Sequence, residues 1–94
     1  MEYKGYILEE LGRYDEAMES YDSALELNSN HVYTWNNKGN IYRKLDNYKQ
    51  ALDCYNRALE LNPESRDALF NKGITLELLD RQKMQLNVLM KFLI

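Results

Sequence analysis

The sequence predicts an all-α protein, a solenoid of stacked antiparallel helix pairs just under three repeats long, in one domain. Three observations predict it. Gly5, Gly39 and Gly73 stand 34 residues apart, each preceded by a lysine, in the stretches EYKGYIL, NNKGNIY and FNKGITL. The register runs on through Leu11, Leu45 and Leu79, through the pairs Tyr14/Tyr48, Ala17/Ala51, Tyr21/Tyr55 and Ala24/Ala58, and through a verbatim ALELN at 24–28 and 58–62. Within each copy, two segments of about 13 residues carry apolar residues three and four apart, the spacing of amphipathic helices. Self-similarity at such a period marks a repeat array, in which each unit buries its apolar face against its neighbours.

Taken in order, the copies occupy 1–31, 32–65 and 66–94. Helices are expected over 1–11, 15–27, 32–45, 48–61 and 66–79, with a sixth, degenerate one from about 81 to 94. Met1 enters the register three residues inside the first helix, so the array begins without its usual cap. The breaks GRY at 12–14 and LDNY at 45–48 supply the turns within hairpins, and Pro63 separates the second copy from the third. The corresponding stretch in the third copy, LLDRQKM, has neither the glycine nor the asparagine of the earlier turns and lacks their tyrosine. Nothing strong there stops the chain continuing as one helix from about 66 to 94.

A glycine inside a helix costs up to about 1 kcal/mol against alanine, so its threefold return needs compensation. Close approach of the paired helices supplies it: the glycine is a packing notch, with Ala51 and Ala58 the expected neighbours of Gly39. Lys4, Lys38 and Lys72 beside the notches read as solvated or stem-packed residues.

Composition narrows the function. The net charge of −3 conceals a gradient: residues 1–31 hold eight acids and two bases (−6), residues 32–65 four and five (+1), residues 66–94 three and five (+2). The bases are interleaved with acids, and nucleic acid is not an expected partner, because phosphate binding needs a clustered basic stripe. The single Cys54 permits no internal disulfide, which fits a reducing, cytoplasmic setting. With one cysteine and one histidine there is no metal-spacing motif, no catalytic pairing for Cys54 and no phosphate loop around the solitary glycines. Cys54 reads as a packing thiol and His31 as a helix-boundary residue; no cofactor, metal or catalytic residue is expected.

The complete middle copy, VYTWNNKGNIYRKLDNYKQALDCYNRALELNPES, with Trp35, Gly39, Tyr42, Tyr48, Ala51, Tyr55, Ala58 and Pro63 in place, resembles the tetratricopeptide repeat family. The resemblance covers residues 1 to about 80. It implies a right-handed superhelix in which the first helix of each pair lines a concave groove, and a non-enzymatic scaffold for protein–protein interaction. The groove positions it implies are Glu2, Tyr3, Tyr6, Glu9 and Glu10 in the first copy, Tyr33, Asn36, Asn37, Asn40, Arg43 and Lys44 in the second, and Asp67, Phe70, Asn71, Ile74, Glu77 and Leu78 in the third. Among them the asparagines Asn36, Asn37, Asn40 and Asn71, whose amides both donate and accept, and the aromatics Tyr3, Tyr6, Tyr33 and Phe70, with Arg43 alongside, are the candidate contacts for a peptide or helix. The carboxylate clamp of the family's chaperone-binding members is not reproduced. Its places hold Glu2, Tyr6, Asn37, Asp67 and Asn71, of which only Asn37 matches.

The tail departs from the pattern. In MQLNVLMKFLI the polar residues are Gln85, Asn87 and Lys91 alone, whereas a terminal repeat helix is ordinarily polar outside. Met84, Leu86, Val88, Leu89, Met90, Phe92, Leu93 and Ile94 are therefore candidates for self-association, with a homodimer joined through 80–94 by pairing or by exchange of the final helix. A membrane surface is a poorer match, since an interfacial helix wants a basic face and this one offers Lys83 and Lys91. A longer array cut short, or an altered reading frame, is the alternative origin of the tail.

Overall fold

The computed structural model describes residues 2–93, with side chains described for residues 4–93; Tyr3, among the candidate groove residues, and Ile94, among the candidates for self-association, fall outside the described side chains. Among the described residues there are five helices: α1 (Glu2–Glu10), α2 (Tyr14–Leu27), α3 (Val32–Lys44), α4 (Tyr48–Leu61) and α5 (Arg66–Leu93). The first four form two hairpins, α1 with α2 and α3 with α4; α2 packs on α3, α4 on α5, and the first helices α1, α3 and α5 form a row.

The repeat is legible in the backbone at every boundary. Gly12 and Asp46, in register, both adopt the left-handed conformation, with φ of 76° and 62°. Glycine enters that region freely and aspartate is among the few others that tolerate it. The amides that follow close the same motif twice: Arg13 N–H donates to the Leu8 carbonyl at 2.9 Å and Asn47 N–H to the Tyr42 carbonyl at 2.8 Å, satisfying carbonyls that a helix end leaves open. Between hairpins, the Asn28 side chain accepts the Asn30 amide at 3.0 Å and the Asn62 side chain the Glu64 amide at 3.1 Å. Each following helix is then capped: His31 Nδ1 accepts the Thr34 amide and Ser65 Oγ the Ala68 amide, both at 3.3 Å. His31 is the boundary residue its position implied.

The notches hold a different neighbour from the expected one. A Cβ placed on Gly39 would lie 2.6 Å from Cε1 of Tyr55, and one on Gly5 would run into the ring of Tyr21. The alanines Ala17, Ala51 and Ala58 are fully buried and let the helices close, but it is the tyrosine ring that occupies the space the glycine leaves. Gly73 differs: nothing lies within 4 Å of its added Cβ.

That difference has one cause. No separate sixth helix forms; α5 is a continuous helix of 28 residues, because the 78–84 stretch carries no turn residue able to stop it other than Asp80. The first half of α5 packs with Ala68 and Thr75 buried, while every residue from Asp80 to Leu93 is exposed. At 1.5 Å per residue α5 is about 42 Å long, most of the 51 Å long dimension of the molecule.

Candidate interaction groove

The row α1–α3–α5 is stitched together by the polar residues that sequence placed on the groove. Glu9, 4% exposed, accepts the Tyr21 hydroxyl at 3.0 Å and the Lys44 ammonium at 2.8 Å, which ties α3 to α1. Between α3 and α5, Asn71 Nδ2 donates to Asn36 Oδ1 at 3.0 Å, and Arg43 Nη1 donates to Asn71 Oδ1 at 3.2 Å. Asn40 Oδ1 accepts the Tyr55 hydroxyl at 2.6 Å. These partners lie about one repeat apart in sequence, Glu9 and Lys44 by 35 residues and Asn36 and Asn71 by 35, so neighbouring columns of the groove bond across the row.

The asparagines thus form a floor more than a row of free amides. Asn36 and Asn37 are both buried. Asn37 Nδ2 is, among the described residues, the one buried side-chain nitrogen or oxygen without a hydrogen-bond partner. The aromatic candidates are exposed: Tyr6 and Tyr33 are more than two-fifths exposed and Phe70 is 69% exposed. Arg43 and Lys44, the middle copy's cations among the groove candidates, are engaged with Asn71 and Glu9. Glu10 and Asp67 are exposed at the two ends.

The electrostatics follow from these contacts. Burial works to lower the Lys44 pKa, but the hydrogen bond and charge of Glu9 outweigh it, and the net direction is upward. The Tyr21 hydroxyl is held protonated, first by burial and then by Glu9. Burial pushes the Cys54 thiol up to about 11 and the Tyr55 hydroxyl to about 12. A thiol so raised is neutral near neutral pH, and the thiolate is the nucleophilic form, consistent with a packing role.

Sequence reasoning missed the contacts on the other face. Lys38 pairs with Asp22 of α2 at 2.8 Å and lies 5.5 Å from the Trp35 ring centre, with Arg57 of α4 at 5.9 Å from the same ring. Trp35 Nε1 donates to the Ser29 carbonyl at 2.8 Å. The lysine of the repeated pair is thus stem-packed and ion-paired in the second copy; Lys4 is exposed. The only signal for this contact was that Trp35 and Lys38 sit three apart, on one side of a helix. Among the described residues no helix is long and apolar enough to cross a membrane.

The family model described as tetratricopeptide repeat matches residues 32–65, and a further one described as TPR repeat matches residues 5–46. The chain belongs to the tetratricopeptide repeat family. The two matches together run from the notch of α1 to the cap of α5, so the closed hairpins and the turn into α5 are family structure. Tetratricopeptide repeats are generally protein–protein interaction modules. No curated protein matches the chain.

Proposed function

We propose that this tetratricopeptide array is a non-enzymatic scaffold that receives a peptide or short helix against the α1–α3–α5 row. The observation that supports this reading best is the set of three exposed aromatics, Tyr6, Tyr33 and Phe70, above a hydrogen-bonded polar floor. Aromatic side chains supply large contact area with few rotatable bonds. The floor holds the helices in place while the aromatics meet the ligand. The ligand's chemistry is apolar or neutral to basic, because both groove cations are already engaged and Glu10 and Asp67 stand exposed.

A displayed library of random peptides, selected on the full chain, tests this. Peptides should emerge whose binding falls at least about tenfold in Tyr33→Ala with Phe70→Ala, a loss of roughly 1.4 kcal/mol or more, while the melting temperature is unchanged. Selected peptides that bind that double variant at full strength would remove the groove from the account.

A second reading is favoured by a separate observation. The seven large apolar side chains from Met84 to Leu93 that are more than half exposed make the end of α5 a self-association segment, so the chain also serves as a homo-oligomerising module.

A further inference from the structure

The exposed end of α5 has a direction as well as a composition. The buried Ala68 and Thr75 define the stripe along which α5 packs; at 3.6 residues per turn Leu79, Gln82, Leu86, Leu89 and Leu93 continue it within about 40° of one line. Leu79 and Gln82 sit beside Tyr48, the first residue of α4. Beyond that point α4 has ended, and the stripe runs on for about three turns with nothing against it. Asn87 and Lys91 lie on the far side of the helix, together with the exposed Met84 and Val88.

Resting on the self-association reading, we propose that this stripe pairs antiparallel with the same stripe of a second copy, about a two-fold axis near Leu86. In that arrangement Leu89 of each copy lies over Gln82 of the other, and each Leu93 reaches Leu79 and the exposed Leu45 of the opposite α3–α4 turn. The paired segment occupies the space in line with α4, and the two bodies stand at opposite ends without collision. The stripe is uncharged from Gln82 to Leu93, so pairing brings no like charges together, and Asp80, Lys83 and Lys91 stay at the edges or in water.

Area supports a second copy as the occupant. The exposed apolar side chains that this pairing covers, Leu86, Leu89 and Leu93 on the stripe, Met90 at its edge and Leu45 of the α3–α4 turn, represent on the order of 100 Å² each. Two copies therefore offer roughly 1,000 Å², the size of a small, weak interface, just under the roughly 1,200 to 2,000 Å² that a standard specific interface buries. Soluble monomers rarely leave contiguous apolar patches above a few hundred Å².

Exchange of the final helix does not fit the same geometry. Leu89 follows Gly73 by 16 residues, as Tyr21 follows Gly5 and Tyr55 follows Gly39. On a continuous helix it lies about 160° round from that notch, so a straight α5 cannot turn both its notch and its filler toward one neighbour.

Sedimentation equilibrium of the full chain over a concentration series, combined with single introduced cysteines in a Cys54→Ala background, tests the pairing. A dimer is expected whose dissociation constant rises at least about 30-fold in Leu86→Lys with Leu89→Lys, with helicity retained because both residues are exposed in the single copy. Leu86→Cys should form an intermolecular disulfide under mild oxidation, and Asn87→Cys, one residue on and facing away, should not. A monomer at every concentration, including one that instead binds neutral phosphatidylcholine vesicles, would overturn both this pairing and the self-association reading. A dimer broken by the lysines but cross-linked through Asn87→Cys and not Leu86→Cys would leave self-association standing and overturn the antiparallel stripe.

Discussion

The turn at Leu45–Tyr48 and its register match at Leu79–Gln82 begin with the same two residues and end in opposite structures. Asp46 takes a left-handed φ of 62° and the chain doubles back; Asp80 sits inside a helix that continues to Leu93. The local difference is Asn47–Tyr48 against Arg81–Gln82. Tyr48 donates its hydroxyl to Asp46 at 3.0 Å and staples the first turn shut, whereas arginine and glutamine are good helix formers. The larger difference lies downstream. Where α4 presents Ala51, Cys54, Tyr55 and Ala58, all buried, the same places in the third copy hold Gln85, Val88, Leu89 and Phe92. A hairpin closed with those residues would bury an amide without a partner and press a phenyl ring where the alanine leaves no space. The comparison teaches that a residue able to turn is not sufficient. The second helix must also offer small residues for approach and a tyrosine for the notch.

Several substitutions would break or sharpen that contrast. The largest effect belongs to the notch of the closed hairpin: Tyr55→Ala should cost about 3 to 5 kcal/mol, read as a fall in the urea midpoint, and Gly39→Leu should be comparably damaging because it drives into the same ring. Leu89→Ala, at the matching place in the third copy, should leave the stability of the single copy nearly unchanged. Next in size is a conversion: Arg81→Asn, Gln82→Tyr, Gln85→Ala, Leu89→Tyr and Phe92→Ala together should close α5 into a third hairpin, shortening the molecule in small-angle scattering and abolishing its self-association. A chain still elongated after all five changes would mean that something other than turn and packing residues holds α5 straight.

Smaller effects divide the glycines. Gly73→Ala, with open space at its Cβ, should stabilise by up to about 1 kcal/mol through helix propensity, while Gly39→Ala should destabilise, its Cβ falling 2.6 Å from Tyr55. Differential scanning calorimetry on the pair gives the signs directly. The smallest is electrostatic. Lys38, Lys44 and Tyr21 all have folded-state pKa values raised above their ordinary 10.5, 10.5 and 10.0. The stability they contribute is therefore complete below about pH 10 and is lost as pH rises through their folded values. The melting temperature should fall above pH 10, and the fall should be shallower in Lys44→Gln with Tyr21→Phe.

Much of this was legible in 94 residues. The 34-residue register placed the first four helices to within one or two residues, since turn residues and periodicity agree there, and it put His31 at a helix start. The continuous α5 was visible as the missing glycine, asparagine and tyrosine of LLDRQKM. Two things were not legible. Periodicity says which side of a helix faces a neighbour but not which side chain arrives, so Tyr55 rather than Ala51 or Ala58 fills the Gly39 notch. Nor does a row of asparagines reveal whether its amides are free: Asn36 and Asn71 find each other only because adjacent columns of the groove, one repeat plus one residue apart, come within hydrogen-bonding distance.

The central claim, that two copies close into hairpins and the third stays open, is tested most directly by a distance along α5. Spin labels at Asp67→Cys and Lys91→Cys in a Cys54→Ala background, diluted with unlabelled chain so that only distances within one molecule are read, should lie about 36 Å apart along a continuous helix, with allowance for the label arms. A separation near the 8 to 10 Å of packed helix axes would show a closed third hairpin and contradict the account.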